Sequence, residues 1–352
     1  MHYQKFLYIF FIVLALYLSF FSTKKVNAKA FLINEIEISE KLENNFNKDI
    51  LINKGFKKAF KELMVKLLQS KDLDKTKNIR LNEIKSMIDS FSIKEEKFIK
   101  KTYNLNLGVS FNKKKIYNYL VSKNIFPAQI IEEKFLFIPI IIDQSKTDLL
   151  VFSNNQIYKN WNEDKENYLI DYILMTEDLD DLNLIKDNYL ELENYNFEEI
   201  IKKYFLDNSI IALFFKDNNQ IKVLSKINIK EKKVIKSNSF QNIDLNDSEN
   251  LKKLITNLKI IYEDFWKENN LINTSIKLEL LIQINNKDLD MSSKFEGTLN
   301  KIDLISNYSI NKFDKDFIFY EVIFNGTPKN FINIMNNHNY NFNTQKKIWV
   351  LE

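Results

Sequence analysis

The sequence predicts a chain of α/β and α+β modules with mixed sheets, followed by a C-terminal module of ferredoxin-like βαββαβ order. Three observations predict this class. Amphipathic helical patterns and short strand-like runs follow each other through residues 31–272. The run "LFIPIIID" (136–143) is apolar without interruption, which is typical of a central strand covered on both faces. Residues 273–352 show the order strand, helix, strand, strand, helix, strand.

Residues 1–30 have the layout of a secretory signal peptide. An apolar run from Phe6 to Phe21 is followed by small residues that end at Ala28 and Ala30. As a helix the run would span roughly 24 Å, which is short of the ~30 Å hydrocarbon core of a bilayer. We therefore expect cleavage after Ala28 or Ala30 and export to the periplasm.

The alternative is an uncleaved leader. Lys24, Lys25 and Lys29 lie on the far side of the apolar run, so the positive-inside bias is weak. In that case Phe6 to Phe21 would associate with the inner membrane and hold the protein there, facing the periplasm.

Composition excludes several function classes. The leader contains four lysines and no acid, so the formal charge of +4 falls to about zero in the mature chain, and no nucleic-acid partner is expected. The chain has no cysteine, which excludes disulfides and thiolate sites. Its four glycines are too scattered for a phosphate-binding loop, and its two histidines, His2 and His338, cannot form a multi-histidine site. We expect no cofactor.

Residues 31–130 form the predicted N-terminal α+β module. Apolar residues recur at helical spacing in its helices and alternate in its strands. In chain order the expected elements are the strand "FLINEIEIS" (31–39), a helix at Gly55–Ser70, a helical pattern at Leu81–Phe91, a strand at Tyr103–Phe111 and a helix at Lys114–Lys123.

Residues 131–272 form the predicted central α/β module, which ends in a long helix. "DNN" between two apolar runs indicates a hairpin. The expected elements are strands at Leu136–Asp143, Tyr168–Leu174, Ser209–Phe215 and Gln220–Ile229, with helices at Phe197–Phe205 and 248–272.

Residues 273–352 form the predicted ferredoxin-like module. Thr327 can cap its second helix, and Pro328 fits the first helical position. The expected elements are strands at Ile276–Ile284, Ile302–Ile310, Phe317–Asn325 and Lys346–Leu351, with helices at Leu289–Leu299 and Pro328–Asn337. No Pro/Gly/Ser linker separates the modules, so we expect them to pack together.

One acidic cluster is a candidate metal site. "TEDLDDL" carries Glu177, Asp178, Asp180 and Asp181, whose oxygens could bind Ca²⁺ or Mg²⁺. The spacing does not match an EF-hand loop, and a solvated loop is the preferred interpretation.

One lysine-rich stretch also has two interpretations. In "KVLSKINIKEKKVIK" (222–236) the lysines could face anionic lipid, or they could protect an edge strand from aggregation. The edge strand is preferred.

The N-terminal two-thirds resembles the proteobacterial family of exported proteins numbered two thousand and sixty-six among the domains of unknown function. The resemblance rests on "GFKKAFKELMVKLLQS", "SMIDSF", "EEKFIKKTYNLNLGVSFN", "NIFP", "LFIPIIID" and "YKNWN", in that order. It implies export and an α/β architecture. It implies no catalytic residue.

The leading hypothesis is an exported cell-envelope protein, a non-catalytic binding or scaffolding module with an unidentified envelope protein as partner. One alternative is a hydrolase that uses carboxylates and a metal ion from the cluster at Glu177–Asp181. Another is a membrane-tethered subunit of an envelope complex that retains its N-terminal helix.

Overall fold

This computed structural model describes residues 30–42, 46–163, 168–230, 232–273, 276–285 and 289–352. The predicted signal peptide and the cleavage site at Ala28 therefore lie outside the described residues, while Ala30 begins the first strand. The described chain is a mixed α/β protein with three mixed or antiparallel sheets and ten α-helices, which confirms the predicted α/β class but not its ferredoxin-like part.

The N-terminal sheet is built from β1 (Ala30–Lys41), β2 (Ile88–Ile99) and β3 (Thr102–Asn112). Its helices are α1 (Lys48–Leu67), α2 (Ser70–Leu73), α3 (Leu81–Met87) and α4 (Lys113–Ser122). The strands are antiparallel in the order β1-β3-β2. Alternate side chains of β3, from Tyr103 to Phe111, are buried against Phe60 and Leu63 of α1. Burial of each such side chain contributes about 1.5–3 kcal/mol.

Helix α1 begins seven residues before Gly55, where the sequence suggested a start. The Asn47 side chain caps it by accepting hydrogen bonds from the backbone N–H groups of Asp49 and Ile50. A Cβ at Gly55 would overlap the side chains of Ile38 and Leu107 on the sheet. The glycine therefore allows close approach of helix and sheet.

The predicted helical pattern at Leu81–Phe91 is only partly correct. Helix α3 ends at Met87, and the residues from Ile88 onward form strand β2. The spacing of Phe91 from Ile84 and Met87 fits a helix, but Phe91 lies opposite Val109 of β3.

The central sheet is built from β4 (Glu133–Asp143), β5 (Asp148–Leu150), β6 (Ile170–Leu174), β7 (Asn208–Asp217), β8 (Gln220–Ile229) and β9 (Lys232–Phe240). Its order is β5-β4-β7-β8-β9, and β6 also pairs with β4. Strand β4 is parallel to β6 and β7, while the other neighbours are antiparallel. The predicted central position of β4 is confirmed.

Helices cover both faces of this sheet. They are α5 (Gln156–Asn160), α6 (Leu179–Asp187), α7 (Glu198–Lys202) and α8 (Ser248–Asn269). Ile157 of α5 and Leu254 of α8 join the core on one face. Ile185 of α6 and Ile200 of α7 join the core on the other face.

The C-terminal sheet is built from β10 (Leu278–Asn285), β11 (Ile305–Phe313), β12 (Phe317–Phe324), β13 (Phe342–Asn343) and β14 (Ile348–Leu351). Its helices are α9 (Leu289–Lys301) and α10 (Pro328–Asn336). Thr327 caps α10 by accepting a hydrogen bond from the Asn330 backbone N–H, as predicted. Phe295 of α9 and Phe331 of α10 are buried in one core with β10 and β12.

The ferredoxin-like arrangement is not confirmed. The strand order is β11-β12-β10-β14-β13, and β14 runs parallel to β10. The last strand of a ferredoxin-like βαββαβ module would run antiparallel to the first. The short β13 precedes β14 as its antiparallel partner, and this hairpin reverses the chain before it reaches β10.

The modules contact each other directly. The Ala128 backbone N–H donates to Leu67 O at 2.7 Å, and the Ile272 N–H donates to Pro127 O at 2.8 Å. Lys113 of the N-terminal module forms an ion pair with Asp303 of the C-terminal module. The backbone hydrogen bonds tie the end of α1 and the residues that follow α8 to the segment at 127–129.

Candidate functional site

The predicted acidic cluster forms the start of α6 instead of a loop. The Asp178 side chain accepts a hydrogen bond from the Asp181 backbone N–H at 2.9 Å, so it caps the helix. This hydrogen bond lowers the pKa of Asp178, and Lys203 adds to the effect. The Glu177 carboxylate accepts a hydrogen bond from the Ser153 backbone N–H at 3.0 Å. Asp180 is exposed.

Asp181 is buried and forms an ion pair with Lys203. The hydrogen bond from Lys203 to Asp181 raises the pKa of the lysine. Three of the four predicted ligands thus have contacts within the fold, and their role in metal binding stays a prediction. Among the residues that the structure describes, no three His, Cys, Asp or Glu side chains are grouped to hold a metal ion.

A crevice of about 350 Å³ lies beside this cluster. It is formed by β5, the segments that follow β5 and β6, and the first turns of α6. Its lining is mixed. It combines the apolar side chains of Leu149, Phe152, Leu179 and Leu182 with the polar residues Ser153, Asn154, Glu177, Asp178 and Lys186. Strands β6 and β7 flank β4 on opposite sides and run parallel to it, so the direction in which the chain adds strands to the sheet reverses at β4. The crevice lies near this topological switch point, which is where open α/β sheets commonly bind ligands.

Asp143 is the last residue of β4, and its side chain makes contacts in the turn that follows. One carboxylate oxygen accepts hydrogen bonds from the Ser145 hydroxyl at 2.6 Å and from the Lys146 N–H at 3.2 Å, and the other pairs with Lys216 Nζ at 3.0 Å. These contacts, the Ser145 hydroxyl first, hold the pKa of Asp143 at about 2. The residue orders the turn between β4 and β5.

We expect Asp143→Asn to destabilise the protein near pH 7 by about 2 kcal/mol, because a pKa below the unfolded value favours the folded state. This stabilisation is present above about pH 4 and is lost as the pH falls through 2. Urea unfolding of both proteins across this range measures the effect. Asp171→Asn, at an exposed position of β6, is the control. A stability deficit of Asp143→Asn that does not shrink in acid would contradict the assignment.

The described part of the lysine-rich stretch at 222–236 is divided between β8 and β9. Strand β9 is an edge strand, as the preferred interpretation predicts, whereas β8, which carries Lys222 and Lys226, is internal and pairs with both β7 and β9. Lys226 Nζ donates to Tyr195 O at 3.0 Å, and burial lowers its pKa. Lys233 pairs with Glu198 at 3.0 Å. Lys236 lies over the Phe265 ring, 4.7 Å from its centroid. These lysines thus contact the central module itself.

The sequence pattern did not indicate the edge formed by β2. In the described chain β2 pairs with β3 on one side only, and eleven of its twelve residues are exposed. Phe91, Ile93 and Phe98 are 47%, 40% and 65% exposed although they lie on the face that carries α1. Phe91 packs edge-on against Phe56, which leaves its other side open. We call residues Ser90–Ile99 the β2 edge.

Glu96 fixes the middle of the β2 edge. Its carboxylate accepts a hydrogen bond from Tyr103 and pairs with Lys48 Nζ at 2.9 Å. The hydrogen bond from Tyr103, followed by that from Lys48, lowers the pKa of Glu96. Lys100 and Lys101 have φ values of 46° and 65°, which suit a tight hairpin between β2 and β3.

The opposite face of the same sheet is polar. A trough of about 380 Å³ is lined by Glu37 and Ser39 of β1, Asn104 and Asn106 of β3, and Lys97 of β2, among others. Asn106 Oδ1 is buried and accepts no hydrogen bond from the described residues. The β2 edge therefore separates an apolar flank from a polar trough.

Helix α8 carries a buried charged row that the sequence pattern also did not indicate. Lys259, Glu263 and Lys267 are spaced by four residues, and all three are buried. The Glu263 carboxylate accepts a hydrogen bond from the Ile170 N–H at 2.8 Å. Lys267 Nζ donates to Val65 O of α1 at 2.6 Å. Desolvation raises the pKa of Glu263 and lowers that of Lys267.

No protein-family profile matches this chain, and no curated protein is significantly similar to it. The resemblance to the exported family stays a prediction. Within the described residues, no helix has the length and apolarity needed to cross a membrane.

Proposed function

We propose that this chain is an exported, non-catalytic binding protein of the cell envelope that binds an extended polypeptide segment along the β2 edge. The observation that carries the proposal is the twelve-residue edge strand β2, which is exposed over eleven residues. An edge strand presents unpaired N–H and C=O groups in a row, and an added strand satisfies them. The leader at residues 1–30 supports export to the periplasm.

The two sides of the β2 edge suit such a segment. Successive side chains of an added strand point to opposite faces of the sheet. Those on one face would pack beside Phe91, Ile93 and Phe98, while those on the other would reach the polar trough beside Lys97 and Asn104. Backbone hydrogen bonds would supply affinity, and this alternation would supply selectivity.

For the C-terminal module we propose a variant of the ferredoxin-like plan. Strand β13 runs in the direction expected for the last strand, and β14 occupies its place beside β10. Both helices pack on one face of the sheet, as that plan requires.

The binding proposal is tested by photo-crosslinking in cells. A benzophenone amino acid replaces Phe91 or Phe98 in the full-length chain, intact cells are irradiated, and the adducts are recovered from the envelope fraction. We expect polypeptide adducts at both positions. The matched control replaces Phe313, which is 62% exposed at the end of edge strand β11 in another module. Equal yields at Phe91, Phe98 and Phe313 would contradict the binding site, and recovery of the chain in the cytosol with Met1 retained would contradict export.

A further inference from the structure

The register of β2 contains a bulge that decides which of its side chains share a face. Ile93 lies opposite Leu107 and Glu95 lies opposite Asn106, so Lys94 is an extra residue. Leu107 is buried on the face that carries α1. Since residues directly opposite each other share a face, Ile93 faces α1 and Glu95 faces the trough.

Before the bulge the odd-numbered residues of β2 lie on the α1 face, and after the bulge the even-numbered residues do. On the α1 face lie Phe91, Ile93, Glu96 and Phe98. On the trough face lie Ser92, Glu95, Lys97 and Ile99, which face Gly108, Asn106, Asn104 and Thr102 of β3. A second copy that pairs antiparallel with β2 about a two-fold axis must match these faces.

One two-fold register matches both faces and charges. It places Lys94 opposite Glu95 of a second copy and Phe91 opposite Phe98 of that copy. The remaining pairs across the axis are Ser90 with Ile99, Ser92 with Lys97, and Ile93 with Glu96. The symmetry makes each contact occur twice, so two phenylalanine pairs form, and each Glu95, which pairs with Lys97 of its own strand, gains Lys94 of the other copy as a second cation.

The neighbouring registers are less favourable. A shift that sets Lys94 opposite Lys97 also sets Glu95 opposite Glu96, so like charges meet across the axis. A shift in the other sense sets Phe91 opposite Glu96 and removes the aromatic pairs. Charge and aromatic matching thus select a single register.

We propose that the segment bound at the β2 edge is the β2 edge of a second copy of this chain. This inference rests on the proposed function and names its partner. The two three-stranded sheets would join into one continuous six-stranded sheet, with Phe91, Ile93 and Phe98 of both copies covering each other. The unpaired backbone groups of β2 would then be satisfied.

Sedimentation velocity on the protein as purified from cells, over a concentration series, tests the proposal. We expect a dimer for the native chain. Lys94→Glu and Glu95→Lys each turn two attractive contacts into repulsive ones and should weaken the dimer by about tenfold or more. An equimolar mixture of the two variants restores opposite charges at both contacts, so we expect the mixed dimer to regain native affinity.

Lys347→Glu reverses an exposed lysine in another module and should leave the dimer unchanged. Circular dichroism melting checks that each variant is folded. A native chain that stays monomeric at its solubility limit would overturn the proposal, as would a tighter dimer for Lys94→Glu. If the chain is monomeric and the crosslinks at Phe91 join it only to other polypeptides, the proposed dimer is wrong. The proposed binding of a polypeptide at the β2 edge is then still supported. Absence of both dimer and crosslinks contradicts both.

Discussion

Lys267→Met is expected to lower the free energy of unfolding by about 3–5 kcal/mol, because it removes one member of a buried ion pair. The Lys267 and Glu263 side chains are only 6% and 5% exposed, with Nζ and Oε2 separated by 3.7 Å. Lys267 also donates to Val65 O, so the variant loses a hydrogen bond between the central and N-terminal modules. Glu263 would remain buried without its counter-ion.

The double variant Lys267→Met/Glu263→Gln separates charge from packing. It leaves no uncompensated charge, so we expect it to recover a large part of the loss. Urea unfolding monitored by circular dichroism measures all three proteins. Lys253→Met, on the exposed side of the same helix, should change stability by less than about 0.5 kcal/mol. A single variant as stable as this control would show that the buried pair contributes nothing.

We also expect a large effect from Trp161→Ala, which should lower the free energy of unfolding by about 3–5 kcal/mol. Trp161 is fully buried after α5, stacked on Phe137 at a centroid distance of 3.8 Å and packed edge-on against Tyr172 at 5.3 Å. Its removal would leave a cavity between the sheet and α8, since packed cores relax only in part. Thermal and urea unfolding measure the loss.

Trp161→Phe tests the physical reason. Trp161 Nε1 is buried and donates no hydrogen bond to the described residues, so replacing the indole by phenyl removes an unsatisfied donor while keeping an aromatic ring. We therefore expect Trp161→Phe to lower the free energy of unfolding by less than half as much as Trp161→Ala does. Equal losses would mean that the volume of the indole, and not the presence of a ring, decides the stability.

The elements that the sequence predicts well are those whose side chains are buried on all sides or along one face only. Strand β4 was recognised because its residues from Phe135 to Ile142 are apolar on both faces. Helix α8 was recognised because Leu251, Leu254 and Leu258 recur at helical spacing. In such elements the pattern of apolar residues reflects the fold directly.

Strand β2 could not be predicted in the same way. Its residues are exposed, so no apolar alternation marks it, and the extra residue Lys94 breaks the two-residue period. The buried charges of α8 were hidden for a different reason. Lys259, Glu263 and Lys267 have the spacing of a solvated face, and their contacts to Val65 and Ile170 are distant in sequence.

The acidic cluster contains a helix-start signal in addition to its high charge. An aspartate at position 178 followed three residues later by Asp181, before the apolar residues Leu182 and Ile185, is typical of a capped helix start. The ion pair of Asp181 with Lys203 had no such signal, because Lys203 belongs to a different segment 22 residues away.

Hydrogen bonds that join α8 to α1 and to the start of α2 connect residues far apart in sequence. Lys267 and Val65 are 202 residues apart, and Ser70 donates to Asp264 across 194 residues. The hydrogen bond to α1 can therefore form only after the chain has been synthesised through residue 267. We expect contacts of such long range to slow folding and to make the N-terminal and central modules unfold as one cooperative unit.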